Sequence, residues 1–124
     1  MHLCVHEGPM QIRKEVRPDT VIPFNPGIVV TNEPGIYVEG KFGVRIENVM
    51  VCLPWSKTPF GEFCYFDQLT LCPYDLRPVD FSLLTDQEVA QINYYHGLVR
   101  EVLLPYLTET ADKQYLEWAT QPIE

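Results

Sequence analysis

The stretch from Thr31 to Val51, TNEPGIYVEGKFGVRIENVMV, constrains the fold more than any other part of the chain. Gly40 stands midway between two runs rich in β-branched and apolar residues, so a turn centred there makes an antiparallel hairpin in which residue i faces residue 80 minus i. Glu33 then faces Glu47, one carboxylate on each arm. Directly opposed Cβ atoms lie about 4.5 to 5.5 Å apart, and like charges at that separation are destabilising. Strand alternation puts Tyr37, Gly43, Arg45 and Glu47 on the face of Glu33 and points Val44 and Ile46 into a core on the other side. Two compensations are open. The guanidinium of Arg45 can fork onto either carboxylate, which makes an ordinary solvated hairpin; or a divalent cation can sit between them, since carboxylate oxygens are usual ligands of such ions. Pro34 removes a ladder donor, so a bulge that shifts the register is a further expectation to check.

The rest of the composition narrows the classes. A chain of 124 residues, 46% hydrophobic, suits one ordinary domain with a single core. A net charge of -8 with no cluster of Lys or Arg argues against nucleic acid as a partner, because that affinity comes from neutralising phosphates. Apolar runs such as Ile28–Val30 and Val102–Leu104 fall far short of the roughly 20 residues that span a bilayer, so no membrane association is expected. The first residues, MHLCVHEGP, have neither a basic nor an apolar signal region, and a cytoplasmic location follows as the expectation. Cys4, Cys52, Cys64 and Cys72 form no C-x-x-C pair. They read as reduced, mostly buried thiols, with a Cys64–Cys72 disulfide between neighbouring strands as the lesser alternative.

Along the chain, the first 26 residues carry Gly8-Pro9, Pro18, Pro23 and Pro26 without a helical period, which predicts extended chain and loop. Such an opening resembles the interior of something longer. Buried strands are expected at Ile28–Val30 and Val49–Val51, and further short strands at Phe63–Phe66 and Leu69–Tyr74. Thr85 and Glu88 have the S/T-x-x-E spacing of a capping box, so a helix starts at Thr85. Val89, Ile92, Tyr95, Val99, Val102 and Leu103 give it an apolar stripe, Pro105 ends or kinks it, and a shorter helix follows from about Glu109 to Trp118. Residue chemistry alone favours a hydrogen-bonded structural role for His6 in VHEGP; exposure or ordinary packing explains His96, and His2 stands among the terminal residues.

Taken together, VHEGP (Val5 to Pro9), NPGIVVTNEPGIY (Asn25 to Tyr37) and GKFGVRIENVMV (Gly40 to Val51) resemble the C-terminal third of Xaa-Pro aminopeptidases, the aminopeptidase P branch of the pita-bread metallopeptidases. FDQLTLCPYDLRPVDFSLLTDQE, YYH and EWATQPIE resemble the C-terminal extension of the larger members. The resemblance covers essentially the whole chain and keeps the family's motif order. It implies an α+β fold, the C-terminal part of a pita-bread domain in residues 1–55, with antiparallel hairpins, and a helical C-terminal extension in residues 56–124 packed as one unit with it.

The resemblance also implies chemistry. In that family two divalent metal ions, manganese most often and zinc or cobalt in other cases, are held by two Asp, one His and two Glu. They lower the pKa of a shared water and clamp the attacked carbonyl. Glu33 matches a metal ligand and general base, Glu47 the ligand bridging both metals, and His6 a histidine that contacts substrate. Arg45 and Tyr37 match residues that buttress the ligands. The two Asp and the ligand His have no counterpart here, and His2 falls at an apolar position of the motif. The expectation is therefore a portion of an enzyme that cleaves the bond before proline in peptides with proline second, inactive by itself and binding metal weakly. The alternative from another class is a non-catalytic interaction module, docking with a separate N-terminal half or self-associating through uncovered strand edges and apolar surface.

Overall fold

The computed structural model describes residues 8, 10–15, 17–18 and 22–124. Within it the chain divides into two compact units, one ending at Thr70 and the other running from Leu71 to Glu124.

The first unit is a set of antiparallel ribbons. Its strands are β1 (Val29–Asn32), β2 (Gly35–Val38), β3 (Phe42–Arg45), β4 (Asn48–Thr58) and β5 (Gly61–Gln68). β2 pairs with β3, and β1, β4 and β5 form a three-stranded sheet in that order. In both the β1–β4 and β2–β3 ladders the paired positions add to 80, from Val29 with Val51 to Val38 with Phe42. The hairpin register read from Gly40 is therefore present along its whole length. Lys41 N–H closes the turn on Val38 C=O at 3.0 Å, and Gly40 has φ +68°, the left-handed conformation a type II turn requires at its third residue. Pro34 does not shift the register: it interrupts the ladder between two matched halves, and its carbonyl accepts Ile46 N–H at 3.3 Å.

The irregularity in this unit lies elsewhere, between Pro54 and Ser56 opposite β5. Pro54 has no N–H to give to a ladder, which is why a proline in a central strand sits beside a bulge. On one face of β4, Asn48, Met50 and Cys52 are buried in strict alternation. Phe24 lies over that face, its ring edge-on to Phe66 at 5.4 Å and its carbonyl accepting the Cys52 thiol at 3.5 Å.

Two expectations about this unit are corrected. Val44 and Ile46 do not enter a core: every residue of β2 and β3 is exposed, with Ile36 at 69% and Phe42 at 58%, because no described residue packs over that ribbon. Of the thiols, Cys52 is buried, but Cys64 is exposed, as is Cys72 in the second unit; all three are free.

Leu69–Tyr74, within which the second unit begins, is expected from its sequence to be a strand and is not one. The chain leaves the sheet when Leu69 and Thr70 N–H both turn onto Val49 C=O, and Thr70 Oγ1 accepts Val49 N–H. Beyond it, side chains replace the ladder: the Tyr95 hydroxyl donates to Cys72 C=O at 2.9 Å and accepts Cys72 N–H at 3.3 Å, and His96 Nε2 accepts Tyr74 N–H at 3.0 Å. With these partners the backbone has no need of a sheet neighbour.

Helix α1 (Asp86–Leu103) starts where its capping box predicts, Thr85 Oγ1 accepting Glu88 N–H and Glu88 accepting Thr85 N–H. A single 3₁₀ turn at Leu104–Tyr106, with Pro105 inside it, ends the helix. Helix α2 (Thr110–Ala119) follows. Tyr95, Val99 and Leu116 form the buried core, with Leu71, Tyr74, Leu103, Leu104 and Leu107 packed around it. Each such side chain contributes roughly 1.5 to 3 kcal/mol when removed from water. The tail is tied back by polar pairs: Asn93 accepts Ile123 N–H and donates to Ile123 C=O, and Arg100 donates to Thr120 C=O.

Candidate functional site

The joint between the two ladders of the long hairpin is where the acidic pair stands. Glu33 and Glu47 flank the rung that Pro34 leaves open, and Arg45, at the end of β3, reaches both. Its Nη1 lies 3.0 Å from Glu33 Oε2 and 3.5 Å from Glu47 Oε2, and its Nε donates to the Tyr37 hydroxyl at 2.8 Å. Thr31 Oγ1 donates to Glu33 Oε1 at 3.3 Å. Of the five residues grouped on one face by strand alternation, Glu33, Tyr37, Arg45 and Glu47 are thus brought together through their side chains. The hydroxyl of Tyr37 first, and then the two carboxylates, push the Arg45 pKa above its ordinary value, so the guanidinium is held charged.

Two glycines make this geometry possible. A Cβ on Gly43 would come within 2.8 Å of the Tyr37 ring, and one on Gly35 would collide with the Tyr37 hydroxyl. The ring lies flat across the ribbon over these bare positions, which delivers its hydroxyl to Arg45 and leaves the guanidinium carbon 5.9 Å from the ring centroid. Sequence reasoning placed Gly43 on the correct face without seeing this use. The signal available was its position directly opposite Tyr37, the register partner confirmed in the ladder.

Glu33, Tyr37 and Arg45 stand on the wall of an open cleft of about 620 Å³, whose other walls include Met10 to Arg13, Val29 to Thr31 and Val49. Residues 10–13 carry no motif that marks them as lining a site. His6, read from the resemblance as a substrate-contacting residue, lies outside the described residues, as does His2.

Chemically, the arrangement is a carboxylate pair partly neutralised by one guanidinium. The side chains of Glu33, Glu47 and Arg45 are 24%, 43% and 44% exposed, so solvent screens both bridges and leaves them weak. That is small compensation for aligning two acids, and points to a use other than stability. A divalent ion needs more than this pair, however: among the described residues no three His, Cys, Asp or Glu side chains converge on one point. The described residues alone do not fit a dinuclear metal centre; Glu33 and Glu47 could supply two carboxylate donors to one.

Comparison with known proteins agrees with the sequence motifs. The model of metallopeptidase family M24 matches residues 1–54, and the model of the C-terminal region of peptidase M24 matches residues 62–123. Aminopeptidase P1 of Lotus japonicus is 38% identical over 125 residues, covering 98% of this chain and 18% of that protein. Aminopeptidase P1 of Arabidopsis thaliana is 36% identical over 126 residues, covering 98% of this chain and 19% of that protein. Xaa-Pro aminopeptidase 1 of Dictyostelium discoideum is 38% identical over 126 residues, 98% of this chain and 20% of that protein. The chain therefore spans about a fifth of the length of these relatives. Among solved structures, the X-prolyl aminopeptidase of Caenorhabditis elegans, described as a cytosolic enzyme with a di-nuclear active site, superposes with a TM-score of 0.68 at 33% identity, over 80% of this chain and 17% of that one. The mixed α+β architecture, antiparallel sheets followed by helices, is that of the C-terminal region of the pita-bread fold, and the chain belongs to metallopeptidase family M24.

Proposed function

We propose that this chain is the C-terminal portion of an aminopeptidase P-like enzyme that removes an N-terminal residue preceding proline. In that reading Glu33 and Glu47 are two of the ligands of a pair of divalent ions, manganese first and zinc or cobalt as alternatives. Glu33 also acts as general base, His6 contacts the substrate, and Tyr37 and Arg45 position the carboxylates. The observation that carries it is the pair itself: two acids held in register at a ladder joint by one arginine, with Glu33 and that arginine on the wall of a cleft large enough for a short peptide. Residues 1–55 are proposed as the metallopeptidase part and residues 56–124 as the C-terminal extension. A cytoplasmic location is supported by the C. elegans relative, described as cytosolic.

By itself the chain is proposed to be inactive, since its described residues present only two acids at the site. The bare β2–β3 ribbon favours a partner. Ile36, Phe42 and Val44 on exposed strands leave an apolar surface suited to docking with a separate N-terminal half or a second copy. The test is an assay of the purified chain on a peptide with proline second, in excess manganese. No turnover is expected, and turnover abolished by Glu33→Ala would show that the chain assembles its own site.

A further inference from the structure

Another cleft, of about 600 Å³, is built entirely from residues 73–124 of the second unit and shares no residue with the acidic site. Three exposed aromatic side chains stand on its wall: Phe81, Tyr115 and Trp118. On α2, Leu116 is buried in the core, while Tyr115 and Trp118, three residues apart, share the outer side with their rings 5.8 Å apart and inclined at 42°. Neither the Tyr115 hydroxyl nor the Trp118 indole N–H makes a hydrogen bond among the described residues. The walls are fixed in advance. Arg77 forks onto Asp75 at 2.6 to 3.1 Å, and Asn93 holds both the N–H and the C=O of Ile123. Asp75 is neutralised by that fork, and Glu124 is left on the wall as an acid with no ion pair among the described residues. The unit around it is acidic, with nine Asp and Glu against Arg77, Arg100 and Lys113, so its field draws positive charge.

We propose that this cleft binds a proline-rich peptide carrying a basic residue, in the polyproline II conformation. Such a helix has three residues per turn and no internal hydrogen bonds, so its prolines recur along one edge and its carbonyls are free to accept. Proline rings pack on exposed aromatic faces, the mode in which aromatic-lined grooves take such segments. The carbonyls between them accept the Trp118 indole N–H and the Tyr115 hydroxyl, the two donors the fold leaves unused. The basic side chain meets Glu124, the acid without a partner. Proline already fixes φ, so the peptide loses little freedom on docking, and the tied walls lose little either. The site uses none of the metal chemistry proposed for Glu33 and Glu47. A peptide with a blocked N-terminus, which offers no terminal residue for removal, therefore addresses it separately.

The full chain, without added metal, is titrated with acetyl-PPRPLPP-amide and followed by its two indole N–H resonances, assigned with Trp55→Phe. The Trp118 resonance is expected to shift saturably, and that of Trp55, in β4, to stay still. By calorimetry, Trp118→Ala should weaken binding about tenfold or more, and Tyr115→Phe to a smaller extent. Both side chains are exposed, so neither change opens the core. Acetyl-PPEPLPP-amide should bind more weakly than the arginine peptide, and Glu124→Gln should narrow that gap. Acetyl-GSRGLGS-amide, with the same charge and no proline, should not bind. A Trp118 resonance that does not move, an affinity unchanged in Trp118→Ala, or equal binding of the glutamate or the glycine–serine peptide would overturn the proposal.

Discussion

Replacing Tyr95 by Phe isolates what holds the Leu71–Tyr74 segment against α1. The Tyr95 ring is nearly buried and stacks on Tyr74 at 4.4 Å, and Phe keeps both the volume and the stacking. Only the hydroxyl is lost, and with it two hydrogen bonds to the backbone of Cys72. Each contributes about 0.5 to 1.5 kcal/mol net. Because Cys72 is exposed, water can reach part of the freed backbone, which sets the expected loss at about 1 to 2 kcal/mol. Both helices lie in the same unit, so urea denaturation followed by the helical circular-dichroism signal reports on it. With m near 1 kcal/mol per M for a unit this small, the midpoint should fall by about 1 to 2 M with unchanged slope. Tyr94→Phe is the control, since that neighbour is 77% exposed and should give no shift. Equal midpoints for Tyr95→Phe and the parent chain would refute the assignment of that tie to the hydroxyl.

Acid should weaken the same unit. His96 is fully buried, accepts Tyr74 N–H on Nε2, and has its pKa lowered from 6.5 first by burial and then by Arg100 on its own helix; the rings of Tyr74 and Tyr95 pack beside it. Its folded pKa lies below its unfolded one, so the stability it contributes is complete above pH 6.5 and is lost as pH falls through the folded value. Asp75, held at about 2 chiefly by its hydrogen bonds with Arg77, titrates well below that window. Urea midpoints should therefore fall on acidification just below pH 6.5 in the parent chain and stay flat there in His96→Gln. Thr85→Ala removes the Oγ1 half of the capping box, leaving the backbone N–H that Glu88 accepts, and should cost about 1 kcal/mol by the same assay. Glu88, whose pKa is lowered by its bonds to Thr85, should in that variant titrate nearer its ordinary value by NMR.

How much of this was legible in the sequence depended on whether the partner was local. The hairpin register followed from one glycine and two apolar arms, and α1 from a capping pair plus an apolar stripe. Both signals lie within a few residues of the structure they specify, and both are present as read. Leu69–Tyr74 misled because strand-like composition reports only that a backbone wants partners, not which ones. Tyr95 and His96, more than twenty residues away, supplied them. Val44 and Ile46 alternate correctly, but alternation fixes a face and not what covers it, and no described residue does. At the acidic pair, strand alternation named the residues that meet, while the need for bare glycines under Tyr37 became visible only in three dimensions. The metal roles proposed for Glu33 and Glu47 rest on family resemblance, since spacing alone favoured an arginine bridge over a cation.

The most direct test of those roles is a chimera in which this chain replaces the matching C-terminal segment of the C. elegans X-prolyl aminopeptidase, assayed with manganese on a peptide with proline second. The folded chimera is expected to cleave the peptide, and Glu33→Ala or Glu47→Ala, introduced singly, to reduce turnover to background. A folded chimera that is inert, or one that retains its activity without Glu33, would contradict the assignment of this hairpin to the metal site.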